Sequence, residues 1–147
     1  MEPIIDHIQI TVKNLDKAVQ FYDRLMPLLG FDITRRSAAE IPEHDFRVVE
    51  YSHPKLCFAI TSPRTGLAHE MVHRRRPGSL HHLAFRADSR VEVDRLYTEI
   101  KKPDIQETGA TIVEPPKEYP EYVPAGYYAV FFKDPDGIKF EIVHAPS

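Results

Sequence analysis

Two stretches of this chain carry the same pattern of side chains 75 positions apart, and such a repeat restricts the fold to two like halves. Asp6-His7-Ile8-Gln9-Ile10 superposes on His81-His82-Leu83-Ala84-Phe85, placing His7 on His82, Ile8 on Leu83 and Ile10 on Phe85. The same shift lays Phe21-Tyr22 on Leu96-Tyr97 and Leu25 on Ile100. Register is thus kept across two kinds of periodicity, one of a strand and one of a helix.

Residues 4–12 alternate Ile4, Ile8, Ile10 and Val12 with His7, Gln9 and Thr11, the period of a half-buried strand. Asn14 then offers a side-chain cap to a helix whose apolar stripe runs Leu15, Ala18, Tyr22, Leu25 and Leu29. Gly30 suits its C-terminal cap, although Pro27 disturbs the last turn. Strands are predicted at Phe31–Ser37, Phe46–Tyr51 and Leu56–Thr61.

The second half opens with a strand at Leu80–Ala87, followed by a capping box at Ser89-Arg90-Val91-Glu92. Val93, Leu96, Tyr97 and Ile100 mark the helix, which ends near Lys102-Pro103. Further strands are predicted at Thr111–Val113, Tyr127–Lys133 and Ile138–His144, with Asp134-Pro135-Asp136-Gly137 turning between the last two. The proline-rich stretch Pro115–Gly126 reads as an ordered loop. The expectation is one domain over 1–147: unit one at about 4–61, a connector at 62–79, and unit two at about 80–144. It has eight strands and two main helices in the order β-α-β-β-β twice.

Composition narrows the function. With 19 Lys+Arg against 22 Asp+Glu the net charge is −3, which supplies no field for nucleic acid or an anionic membrane. No stretch approaches the roughly 18 apolar residues that span a bilayer, and the first residues lack the apolar run of a signal peptide. Cys57 is the single cysteine, so no intrachain disulfide is available. A cytoplasmic location is expected.

Side-chain alternation puts the chemistry on one face. In the first strand His7 lies opposite Ile8, Ile10 and Val12; in the fifth, His82 and Ala84 lie opposite Leu83 and Phe85. In the last, Ile138, Phe140 and Ile142 leave Lys139, Glu141 and Val143 on the other side. Two histidines and a carboxylate therefore point away from the helix-covered faces. Asp6-His7-Ile8, His82-Leu83-Ala84-Phe85 and Asp134 through Ile142 resemble the three most recognisable segments of the vicinal oxygen chelate superfamily, which includes glyoxalases, bleomycin-resistance proteins and extradiol dioxygenases. The resemblance runs from residue 4 to 144.

It implies an α+β fold in which two βαβββ units in tandem form curved mixed sheets around a shared cavity. It also implies a divalent metal held by residues of each unit's first and fourth strands, here His7, His82 and Glu141. The fourth family position falls on Ala59, or on Cys57 in a register shifted by two, and so holds no carboxylate. A two-histidine, one-carboxylate set suits Fe²⁺ or Mn²⁺ first and Zn²⁺ or Ni²⁺ after them. The implied activity is a lyase, isomerase, dioxygenase or transferase acting on a small molecule with vicinal oxygens, with Glu141 catalytic. The alternative is a metal-free binding protein of the bleomycin-resistance type. Homodimerisation is the family expectation.

Other signals rank lower. His69-Glu70-Met71-Val72-His73 matches the H-E-x-x-H zinc-protease pattern, a remote alternative with Glu70 as base. Prolines and glycines close on both sides argue against the helix it requires. Arg74-Arg75-Arg76 reads as a solvated loop that could gate anions or meet a partner. His81 is expected to support its neighbour, and Cys57 to be a small packed side chain. Counting back from the 134–137 turn pairs Val130 with Glu141, which favours Tyr128 over Tyr127 as a cavity-side proton donor.

Overall fold

The computed structural model describes residues 1, 3–122 and 125–146. The chain divides into two compact units, Met1–Met71 and Val72–Ser147.

In unit one the alternating N-terminal segment forms β1 (His7–Thr11), followed by α1 (Leu15–Leu28), β2 (Asp32–Ile41), β3 (Phe46–His53) and β4 (Leu56–Thr61). The Asn14 side chain accepts the Lys17 N–H at 3.0 Å, supplying the predicted cap. At the other end Gly30, at φ +89°, closes the helix. Gly30 N–H bonds to Pro27 O and Phe31 N–H to Met26 O, the paired bonds of a Schellman ending. Pro27 is tolerated inside the last turn because the chain leaves the helix immediately after it. The buried stripe of α1 also takes in Phe21 and Met26. It accompanies Val12, Tyr51, Phe58 and Ile60 in the core, where each large side chain contributes about 1.5–3 kcal/mol.

Unit two repeats the plan with β5 (Leu83–Arg86), α2 (Arg90–Ile100), β6 (Thr111–Glu118), β7 (Tyr128–Lys133) and β8 (Lys139–His144), plus a one-turn helix, α3 (Pro103–Gln106). Ser89 Oγ accepts the Glu92 N–H at 3.1 Å, while the Glu92 carboxylate reaches back to the Asp88 N–H at 2.8 Å. That is one residue earlier than a standard capping box. Val93, Leu96 and Ile100 are buried, as are Val130, Phe132, Phe140 and Ile142 of the sheet.

The two sheets have the same topology, β1-β4-β3-β2 and β5-β8-β7-β6. In each, the first strand runs parallel to the fourth and the remaining pairs are antiparallel. The tandem βαβββ units and mixed sheets are as expected. The expected curvature is not found: neither sheet is closed or strongly curled. Curling needs bulges or kinks that propagate through a sheet. Here register shifts occur only where the edge strands β2 and β6 meet β3 and β7, and the inner ladders are regular.

Several boundaries differ from expectation. Strand β2 continues to Ile41 and β6 to Glu118, through Pro115-Pro116. Prolines are accepted there because β6 is an edge strand with two register shifts. The loop expected at Pro115–Gly126 is correspondingly shorter, and its residues 123 and 124 lie outside the described residues. Strand β5 starts at Leu83, leaving His82 just before it. Among the described residues no helix is long and apolar enough to cross a membrane.

Candidate functional site

Glu141 is only 1% exposed, and a carboxylate so buried needs partners. It sits on β8 opposite Ala84 of β5 and Phe131 of β7. Alternation places it on the face away from Phe140 and Ile142, which are packed in the core. A smaller buried cluster of Tyr119, Ala129, Phe131, Val143 and Ala145, with Tyr127 against it, occupies that face. Its apolar surroundings explain how Glu141 is sealed without lying in the main core.

Both carboxylate oxygens are engaged. The Tyr127 hydroxyl donates to Oε1, and His82 Nε2 lies 3.2 Å from Oε2. Burial and then the Glu141 hydrogen bond hold the Tyr127 phenol well above its ordinary pKa. His82 remains 35% exposed at the side chain, so a ligand can reach it, whereas Glu141 is sealed. Its Nδ1 meets His81 Nδ1 at 2.8 Å, and its ring stands edge-on to Phe131 at 6.4 Å. Burial, followed by the charge of His82, holds His81 below the ordinary histidine value. Phenol, carboxylate and imidazole thus form a chain able to orient a polar ligand and relay a proton.

The aromatic wall is ordered. Tyr119 and Tyr122 stack at 5.2 Å and 9°, and the Tyr127 ring is perpendicular to both. Tyr119 is 6% exposed, and its hydroxyl has no hydrogen-bond partner among the described residues. Burial, then the Glu114 charge, pushes its pKa up to about 12.

Tyr127 therefore occupies the place expected for Tyr128. The Tyr128 hydroxyl instead donates to Asp94 of α2 at 2.7 Å, with the Arg90 guanidinium 5.2 Å from its ring centre. The one-residue error lies in the turn. Lys133 pairs with Lys139, so five residues separate the strands, and Phe131 rather than Val130 faces Glu141. Ile138, expected to open the last strand, is the extra residue that shifts the register, and it follows Gly137, which turns the chain at φ +88°.

In unit one, His7 stands at the head of β1 with Nδ1 2.8 Å from Asp6 Oδ1, and its side chain is 62% exposed. Gln9 pairs with Ala59 as Ala84 pairs with Glu141, so Ala59, not Cys57, is the counterpart of Glu141. Unit one has no carboxylate at that place. Cys57 is half-buried, and burial followed by the charges of Glu50 and Asp6 raises its thiol pKa, the opposite of activation.

Among the described residues no group of three or more His, Cys, Asp or Glu side chains is placed to hold a metal ion. With both oxygens of Glu141 already engaged, the donors as arranged do not fit a metal centre. Residues 69–73, the H-E-x-x-H stretch, form turn and coil rather than helix, so no helical turn places His69 and His73 one above the other. A groove of about 470 Å³ in unit one lies beside the start of α1 and β3. Its Arg47 is paired with Asp16 at 2.7 Å, and its Asp45 accepts from Thr65.

Comparison with known proteins matches these features to a family. The profile described as the Glyoxalase/Bleomycin resistance protein/Dioxygenase superfamily matches residues 4–142. The chain belongs to this superfamily, the vicinal oxygen chelate group. Within it, the chain is 28% identical over 141 residues to the uncharacterized protein YqjT of Bacillus subtilis (strain 168), covering 96% of this chain and 98% of that one. A crystal structure of a candidate glyoxalase from Bacillus halodurans superposes with a TM-score of 0.71 at 28% identity, covering 98% of this chain and 97% of that one. A glyoxalase/bleomycin resistance protein from Albidiferax ferrireducens T118 superposes at 0.64 and 25% identity, covering 96% and 98%.

Proposed function

We propose that this vicinal oxygen chelate protein is a metal-free small-molecule binder of the bleomycin-resistance type. Its ligand docks on the aromatic, helix-free face of unit two, with His82 and the sealed Glu141–Tyr127 pair as its polar anchor. The observation that carries this reading is the state of Glu141, whose two oxygens already answer Tyr127 and His82. A carboxylate so engaged orients its partners instead of offering lone pairs to an ion, and the aromatic rings beside it supply contact area at low entropic cost. Homodimerisation is part of the proposal, and light scattering on the eluted protein checks it.

The test combines elemental analysis of protein purified without chelator and calorimetry of a ligand panel, including a bleomycin-type glycopeptide, before and after chelator dialysis. Metal well below one ion per chain and unchanged ligand binding are expected. A stoichiometric divalent ion whose removal abolishes binding would overturn the reading.

One contact favours a second reading. Asp6 on His7 Nδ1 leaves Nε2 as the nitrogen able to ligate, the usual way a carboxylate orients a metal-binding histidine. In that case the set His7, His82 and Glu141 would take Fe²⁺ or Mn²⁺, or Zn²⁺ or Ni²⁺. The protein would then be a lyase, isomerase, dioxygenase or transferase acting on vicinal oxygens.

A further inference from the structure

The two sheets end in equivalent outer strands, β2 and β6, and only one of them is guarded. Strand β6 carries Pro115-Pro116 and two register shifts, devices that keep a further strand from adding to a sheet. Strand β2 has no proline, and past its one register shift the ladder with β3 is regular from Ser37 to Ile41. Every residue of that stretch is exposed, Ile41 to 37%. Among the described residues no strand pairs with the outer side of β2.

The hydrogen bonds of β3 fix which backbone groups of β2 face outward. The Ser62 N–H donates to Arg47 O and the Arg47 N–H to Ser62 Oγ, both at 2.9 Å, so Arg47 turns its backbone towards the β4 side. Glu40 lies opposite Arg47 and is therefore its non-hydrogen-bonded partner; by alternation the same holds for Ala38 and Val49. The N–H and C=O groups of Ala38 and Glu40 point out of the edge of the sheet.

This edge is complementary to itself. Antiparallel pairing about a two-fold axis at Ala38 lets Ala38 exchange both bonds with its own copy, and Glu40 with Arg36 of the second copy. Glu40 forms no ion pair among the described residues; its charge only adds, after that of Asp16, to the hold on the Arg47 proton. Arg36 lies on the same face, fixed by Asp23 of α1 at 2.7 Å. A carboxylate and a guanidinium thus meet twice across the axis. On the other face Ser37 lies opposite Ala39, both small enough for the close approach of a non-hydrogen-bonded pair. Moving the axis by one residue sets Glu40 against Thr34 or Ala38 and loses both charge pairs. We propose that two copies of this chain join through β2, antiparallel about Ala38, so that the two unit-one sheets become one continuous sheet. This rests on the homodimer proposed above and names its contact; the ligand site on unit two is independent of it.

The experiment measures the dimer dissociation constant of the full chain by sedimentation equilibrium over a concentration series. Ala38→Pro removes the central donor, and because that N–H faces outward the β2–β3 ladder tolerates the ring. It should weaken the dimer at least about tenfold. Glu40→Arg sets like charges opposite one another and should weaken it severalfold, more so at low salt. Thermal melts confirm that both variants fold. Oxidative cross-linking in a Cys57→Ser background reads the register. Ala38→Cys puts the two thiols on Cα atoms about 5.5 Å apart and should link the copies. Glu40→Cys leaves them over about 13 Å apart and should not.

A dimer whose dissociation constant is unchanged in Ala38→Pro and Glu40→Arg overturns the β2 contact and keeps homodimerisation through another surface. A wild-type chain that stays monomeric throughout the series overturns both, and leaves the edge to an extended segment of another protein. Copies that link through Glu40→Cys and not through Ala38→Cys overturn the pairing about Ala38.

Discussion

Tyr127 donates its hydroxyl proton to Glu141, and this one bond binds the strand before the turn to the strand after it on the helix-free face of unit two. Its neighbour Tyr128 points the other way and donates to Asp94 of α2. Two adjacent tyrosines thus serve opposite faces of one sheet, as the pleat requires.

Removing the two hydroxyls should have unequal consequences. Tyr127→Phe leaves an oxygen of a sealed carboxylate without its donor, at a cost of about 1–3 kcal/mol. Tyr128→Phe breaks a bond at an exposed position, where water replaces the lost partner, and should cost under about 0.5 kcal/mol. Urea denaturation of both variants gives the comparison; equal losses would contradict the assignment of Tyr127 to Glu141.

Tyr119→Phe should be neutral or stabilising by up to about 1 kcal/mol, because it deletes a buried hydroxyl that lacks a partner among the described residues. It should also change alkaline behaviour. The folded pKa of Tyr119 is raised from the ordinary 10.0 to about 12, so this phenol adds no pH dependence below pH 10 and folding stability falls as pH climbs from 10 to about 12, where the unfolded chain ionises first. Thermal melts from pH 9 to 12 should fall less steeply in Tyr119→Phe than in wild type. A steeper fall in the variant would refute the shift.

Asp134 is 2% exposed and its Oδ1 accepts the N–H groups of Asp136 and Ile138, at 2.9 and 2.8 Å. Asp134→Ala strands two donors in the turn that sets the β7–β8 register. A loss of about 2–3 kcal/mol is expected, and chemical denaturation measures it. A loss within experimental error would mean that the backbone holds this turn without the side chain.

The metal-free and metal-dependent readings part at His7. If the ligand is held on unit two alone, His7→Ala changes ligand affinity by less than about twofold, while His82→Ala weakens it about tenfold or more. If a metal is used, His7→Ala and Glu141→Ala both abolish metal content, and His69→Ala leaves it intact. Calorimetry and elemental analysis on the same preparations separate the cases. Metal lost in His69→Ala but kept in His7→Ala would reject both site assignments and return the H-E-x-x-H stretch to consideration.

The repeat, both main helices with their caps, the eight strands and the facing of His82 and Glu141 were all legible in the residues. Each rests on a short-range rule: alternation, a three-four stripe, or a capping side chain beside the backbone it satisfies. Local pattern could not show how far β6 runs, because Pro115-Pro116 is forbidden in a central strand and acceptable at an edge, and only strand order says which it is. Nor could it show that the sheets stay open, since curling depends on where register shifts fall across several strands. The choice between Tyr127 and Tyr128 turned on one residue in the hairpin loop, and a one-residue slip exchanges the faces of a strand. Sequence determined which side chains were available and what each element would be; tertiary structure decided which met, because contact between distant segments depends on register and strand order.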